Sequence, residues 1–276
     1  MKPVTPESSL GLGKFGKLPA GENLGLPKEE VDQVYRASRV SDEKTRFRQH
    51  MDNNYHGRLP FLSANDDGRT AERLRSIPEY RNASMVLVSL HPSLRQAGLN
   101  VLADRKKLVL PTPGIQKGFV LIDPVTVPPP KRPMAVRPLL RNPFGTKLSY
   151  QESLVPPIDL IICEALFIGA DGTRLGDGDG HLDLQFAILS TLGWLAATPR
   201  VIALVDDEQI LPSVPVGPTD VGVHCIVTPH QVLRTGCTHL PRCGIIWEAL
   251  NRKQVRRNEA LFYLSRQQQA LSDAPQ

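Results

Sequence analysis

The feature that most restricts how this chain can fold is a series of short, uninterrupted apolar runs separated by helix-patterned segments. Ser84 to Leu90 reads SMVLVSL, and Lys107 to Leu110, Asp159 to Glu164, Val201 to Val205 and Val223 to Thr228 are similar. None alternates polar with apolar residues, so each must be buried on both faces, as strands of a parallel sheet are. Helices are expected over Pro92 to Asp104 and His181 to Leu195. The fold class that follows is α/β, a mostly parallel sheet flanked by helices. Gly118 to Ile122 and Gly244 to Trp247 add two short strands, and Glu248 to Gln269 a basic terminal helix. Runs such as Ile158 to Ile168 carry acids and are too short to span a bilayer.

At 276 residues the chain has room for one large domain with extensions. Met1 to Leu26 is rich in Gly, Pro, Lys and Ser without periodicity, and is expected to be disordered alone. Ordering costs roughly 1–2 kcal/mol per residue, so an ordered tail would need contacts outside its own domain. A helix is expected from Pro27, with Glu29 and Glu30 complementing its dipole. A second is expected after Ser41 as N-cap, with Lys44 and Arg48 one turn apart. The reading is an N-terminal extension over 1–40, an α/β domain over 41–265 and a tail over 266–276. Pro128, Pro129, Pro130, Pro133 and Pro138 mark a stiff excursion within the domain.

The net charge of +5 is unevenly placed. Lys131, Arg132, Arg137, Arg141 and Lys147 form one acid-free cluster, and Arg252, Lys253, Arg256 and Arg257 another. Such clusters either keep a surface solvated or grip phosphates. Aromatic residues make up 5% of the chain, so an RNA partner would be held by phosphates rather than stacked bases. Four cysteines make no disulfide framework at this length. Cys163 and Cys225 read as buried strand residues, His224 as a strand residue without a role, and Asp206 and Asp220 as turn caps. Cys237, His239 and Cys243 match no common zinc spacing and lack a fourth ligand. No secretory signal pattern opens the chain, and the expected compartment is mitochondrial or cytoplasmic.

The most informative stretch is DGTRLGDGDGHLD, Asp171 to Asp183. Gly176, Gly178 and Gly180 alternate between a strand and a helix, where backbone N–H groups can approach a phosphate. By residue type alone, a flexible turn and a phosphate cradle stay equally open. The loop is no P-loop, lacking that motif's Lys and Ser/Thr. It is no EF-hand either, with Leu182 and Ile188 at positions that need Gly and Glu.

Arg174, Leu175, Gly176, Gly178, Gly180 and Asp183 resemble the RLGxGxGYxD signature of the 5-formyltetrahydrofolate cyclo-ligase (methenyltetrahydrofolate synthetase) family, most closely its methenyltetrahydrofolate synthetase domain-containing branch. EKTRFRQHM around Lys44 and Arg48, GRLPF at Gly57 to Phe61, KKLVLPTPGIQKGF, and IVTPHQVLRTGC followed by GIIW are similar to further motifs, in the same order, from about Lys44 to Leu264. The resemblance implies an α/β fold related to ribose-phosphate isomerases and CoA transferases. It implies an ATP- and Mg²⁺-dependent ring closure of 5-formyltetrahydrofolate. Lys44 and Arg48 would then face the ATP phosphates, Arg174 and the glycines Gly176, Gly178 and Gly180 would cradle the nucleotide, and Asp183 would lie beside the metal.

Several positions depart from the pattern. The tyrosine pair is His181 and Leu182, the following arginine is Leu184, and PVGPTD has Gly217 for Glu and Thr219 for His. Asp177 and Asp179 add negative charge where a polyphosphate would sit. The glutamate that holds the folate ring has no counterpart near Arg58 to Phe61. The expectation is a non-catalytic component of a larger protein assembly, such as a mitochondrial ribosome or other ribonucleoprotein, with no cofactor and no membrane. RNA phosphates would then meet Lys131, Arg132, Arg137, Arg141, Arg252, Lys253, Arg256 and Arg257. The alternative is an active ATP- and Mg²⁺-dependent cyclo-ligase with a folate substrate.

Overall fold

A computed structural model describes residues 28–55, 64–178, 180–217, 219–237 and 244–272. The chain opens with α1 (Lys28–Asn54), α2 (Ala64–Leu74) and α3 (Pro78–Asn82). The strands and helices β1 (Met85–Val88), α4 (Arg95–Ala103), β2 (Lys107–Pro111), β3 (Phe119–Ile122), α5 (Arg132–Ala135) and β4 (Thr146–Lys147) follow. Next come β5 (Ile158–Cys163), β6 (Phe167–Gly169), β7 (Arg174–Leu175), α6 (His181–Thr191) and β8 (Leu195–Leu204). The chain closes with β9 (Ile210–Leu211), β10 (Cys225–Val227), β11 (Val232–Arg234), α7 (Arg252–Arg257) and α8 (Glu259–Ser272).

Eight strands form one sheet in the order β11-β10-β8-β5-β1-β2-β3-β4. The inner strands β10, β8, β5, β1 and β2 are parallel, and β11, β3 and β4 add antiparallel edges. The unbroken apolar runs are buried on both faces, as their pattern requires. Val86, Val88, Leu160, Ile162, Ile202 and Leu204 face Leu74 of α2 and Val101 and Leu102 of α4. Leu87, Ile161, Cys163, Val201 and Ala203 face Leu182, Phe186 and Leu189 of α6 and Leu261 of α8. Cys163 and Cys225 are both wholly buried, and burial pushes their thiols up to about 12 and about 11.

Three local expectations need correction. Ser41 does not start a second helix, because α1 runs unbroken through it and its carbonyl accepts the Thr45 hydroxyl at 2.9 Å. Residues 244–246 form no strand, and a short 3₁₀ turn covers Trp247–Ala249. The terminal helix is two helices, since Asn258 breaks it and its side chain accepts the Leu261 N–H at 3.1 Å to start α8. The tail expected over Met1 to Leu26, the helix start at Pro27, and the GRLPF segment lie outside the described residues.

Candidate functional site

A second, three-stranded sheet, β7-β6-β9, is built from segments that follow the C-terminal ends of β5 and β8 in the chain, and the glycine loop follows its strand β7. Its hairpin places Arg174 on β7 with only 4% of its surface exposed. The second half of α1 packs across this sheet. Phe47, Met51 and Tyr55 meet Leu166, Phe167, Leu175, Leu211 and Val214. Lys44 and Arg48 precede Met51 at helical-repeat spacing and share its stripe of α1, so the packing of Met51 aims both cations at the loop.

Lys44 forms an ion pair with Asp220, their side chains being 15% and 8% exposed. Arg48 Nε donates to the Gly176 carbonyl at 2.9 Å. Arg174 Nη2 donates to Asp183 Oδ1 at 2.8 Å, and the Val221 N–H donates to the same oxygen at 2.9 Å. The structure thus brings Lys44, Arg48, Arg174, Gly176 and Asp183 together. Gly178, at φ +116°, takes a backbone conformation that disfavours a side chain, and the Arg48 guanidinium lies 3.7 Å from where one would start. A side chain on Gly176 would begin 2.9 Å from Arg174 Nη1. Gly180 precedes α6 as its left-handed N-cap residue.

The electrostatics are largely settled within the chain. Burial lowers the Arg48 pKa, while Asp177 and Asp220 pull it back up. Burial also works against the Arg174 charge, yet Asp183 first, then Cys163 and Glu164, hold its pKa above the ordinary value. Against the three cations Lys44, Arg48 and Arg174 stand the four carboxylates Glu164, Asp177, Asp183 and Asp220. A polyphosphate meets a site whose positive charge is already compensated. Asp183 is held by two donors on one oxygen, and no group of three or more metal-ligating side chains occurs among the described residues.

Asp220 does cap its turn, accepting the Gly217 N–H at 2.7 Å, but its second task as the partner of Lys44 escaped the sequence. The signal was there in the acid that closes PVGPTD. Leu182, at the second position of the family's tyrosine pair, is 4% exposed and packs in the core. His181 is exposed at the start of α6. Asp206 caps its turn in a capping box with Gln209, and His224 Nδ1 accepts the Val201 N–H at 3.1 Å. Of the zinc candidates, Cys237 is half-buried, and His239 and Cys243 lie outside the described residues, as does Asp179.

The basic clusters lie far from this loop in sequence and on the surface. Lys131, Arg137, Arg141, Arg252, Lys253, Arg256 and Arg257 are exposed, and Arg132 half-buried. Arg141 and Lys147 share a cleft of about 350 Å³ with Lys117 and Glu259, whose carboxylate pairs with both lysines. Arg256 and Arg257 end α7, and Asn258 separates them from Glu259 at the start of α8.

The model of the 5-formyltetrahydrofolate cyclo-ligase family matches residues 39–229. Methenyltetrahydrofolate synthase domain-containing proteins from Bos taurus and Mus musculus are 27% and 28% identical over 78% and 79% of this chain. Those stretches cover 56% and 59% of the two relatives, so the chain spans just over half of their length. A 5-formyltetrahydrofolate cyclo-ligase of Mycolicibacterium smegmatis is 39% identical over 73 residues, 26% of this chain and 34% of that protein. The solved structure of Aquifex aeolicus 5,10-methenyltetrahydrofolate synthetase aligns with TM-score 0.44 and 18% identity over 74% of this chain and 94% of that one. Matched by the family model over more than half its length, and carrying the glycine loop with its attendant cations and acid, the chain belongs to the 5-formyltetrahydrofolate cyclo-ligase family.

Proposed function

We propose that this chain keeps the cyclo-ligase scaffold without running the folate reaction, and serves as a structural component of a larger assembly. The observation that carries this reading is the internal pairing of the site: Asp220 takes Lys44 and Asp183 takes Arg174. Phosphoryl transfer needs uncompensated cations or a metal on the phosphates. Here a nucleotide would have to break two ion pairs that are mostly shielded from water. The core leucine at position 182 adds support, because no rotation of that side chain supplies the polar ring the family pattern has there. The exposed arginines of the two basic clusters suit a polyanionic partner such as RNA, gripped by its phosphates.

A second reading rests on a different observation. Lys44, Arg48, Arg174, Gly176, Gly178 and Asp183 all converge, which an active ATP- and Mg²⁺-dependent cyclo-ligase would require. Incubation of the purified chain with 5-formyltetrahydrofolate, ATP and Mg²⁺ separates the two. The non-catalytic reading expects no near-ultraviolet absorbance from a methenyl product. ATP-dependent product formation that Lys44→Ala abolishes would establish the enzyme.

A further inference from the structure

The cleft of about 350 Å³ beside β3, β4 and the start of α8 shares no residue with the glycine-loop site. Its charged lining is Lys117, Arg141, Lys147 and Glu259, and Val120 and Leu140 add apolar surface. The walls are fixed by the chain itself. Val120 and Lys147 are register partners across β3 and β4. The Glu259 N–H donates to the Gln116 carbonyl at 3.1 Å, which ties α8 to the turn that carries Lys117.

The neutral polar side chains of the lining are already occupied. Asn142 donates to the Ala135 carbonyl at 2.6 Å and accepts the Phe144 N–H at 3.0 Å. The Thr112 hydroxyl donates to the Gly118 carbonyl at 3.0 Å and accepts the Lys117 N–H at 2.9 Å. What remains is donors on cations. Glu259 accepts from Lys117 at 2.6 Å through one oxygen and pairs with Lys147 through the other, so one carboxylate holds two ammonium groups near each other. Each ammonium keeps N–H groups that this pairing does not use. Arg141 is exposed and makes no hydrogen bond or ion pair among the described residues.

Three cations against one carboxylate leave two positive charges uncompensated, whereas the glycine-loop site has more carboxylates than cations. A nucleic-acid backbone phosphate brings one negative charge, and a phosphate monoester close to two at neutral pH. Val120 and Leu140, the latter 47% exposed, offer apolar surface to whatever group bears the phosphate. The volume lies at the low end of small-molecule sites, roughly 300–1,000 Å³. We propose that this cleft binds a phosphate monoester on a small apolar body, with Lys117 and Lys147 on the dianion and the Arg141 fork clamping it. The inference rests on this cleft alone, and stands whichever reading of the glycine loop is right.

Calorimetric titration of the full chain with phenyl phosphate at low ionic strength is expected to give saturable binding. Phenyl sulfate, of similar shape with one charge, should bind roughly tenfold more weakly, as loss of a charge-assisted contact predicts. Arg141→Ala and Lys147→Ala should each weaken phenyl phosphate by a similar factor while circular dichroism stays unchanged. If Lys147→Ala disturbs β4, Arg141→Ala and the sulfate decide, since Arg141 holds no other residue in place. A free small ester and the 5′ end of an RNA share this chemistry. Displacement of phenyl phosphate by a 5′-phosphorylated oligoribonucleotide, and not by its 5′-hydroxyl counterpart, identifies the RNA end. Displacement by neither identifies the small ester. Displacement by both alike, equal binding of the sulfate, binding unaltered by Arg141→Ala or binding abolished by Lys44→Ala overturns the proposal, as does absence of saturable binding. Methenyl product in the turnover assay, by contrast, would overturn the non-catalytic reading and leave this one intact.

Discussion

The two ends of the central sheet carry polar clusters of similar make-up and opposite character. At the N-terminal ends of the strands, Arg75 donates to both oxygens of Asp104 at 2.8 and 2.5 Å, and the Tyr80 hydroxyl donates to the same carboxylate at 2.8 Å. Lys106 there donates to the carbonyls of Arg81 and Ala83, and Asp159 accepts the Ser84 N–H at 2.8 Å. This end opens a cleft of about 530 Å³, and none of these residues has an unmet buried atom. At the C-terminal ends, Arg174, Glu164, Ser89 and Gln185 all do. A polar cluster that satisfies itself holds a fold together, whereas one left partly unmet keeps hydrogen-bonding capacity that its own residues do not use.

The comparison can be broken most forcefully at the Arg174–Asp183 pair. Asp183→Asn leaves a buried guanidinium without its partner charge, and should cost about 3 kcal/mol in urea unfolding. A cost under about 1 kcal/mol would mean that Arg174 is not held by this acid. Tyr80→Phe, at the self-satisfied end, removes one hydrogen bond to a charged acceptor from a side chain 1% exposed. It should cost about 1.5 kcal/mol in urea unfolding. A cost near zero would mean that the Asp104 carboxylate does not depend on this hydroxyl.

Unmet atoms are not confined to the C-terminal ends of the strands, because α2 also carries them at Asp67, Thr70 and Arg73. Burial, with Asp66 nearby, pushes the Asp67 carboxyl up to about 6. A folded pKa above the unfolded value near 4 gives stability that is fully present below about pH 4 and lost as pH rises through about 6. Discounted for its partial exposure, the effect should be about 1 kcal/mol, and Asp67→Asn should remove that slope. A slope unchanged in the variant assigns the pH dependence elsewhere.

How much of this was legible in the sequence follows from how local each signal is. The inner strands were readable because a run buried on both faces needs apolar residues throughout, and stretches such as Val86 to Val88 and Leu160 to Ile162 have no other use. Ser41 misled because a serine before a charged stretch is a good N-cap in isolation, while packing of Phe47 and Met51 against the small sheet favours one continuous helix. The glycine loop and its cations were legible by resemblance. Asp220 and Glu164 were not, since their partners are fixed by tertiary topology: Lys44 lies 176 residues from Asp220. Glu164 is one acid inside the run LIICEAL, and nothing around it in sequence announces its electrostatic effect on Arg174.

The central claim is that the cations of the glycine-loop site are neutralised by the chain's own carboxylates. Titration of MgATP into the unaltered protein and into Asp220→Asn tests it directly. The account predicts binding no tighter than about 1 mM for the unaltered chain, and roughly tenfold tighter binding once Lys44 loses its partner, a gain of about 1.4 kcal/mol. Micromolar binding by the unaltered chain that Asp220→Asn weakens would contradict it, and would make Asp220 part of a working nucleotide site.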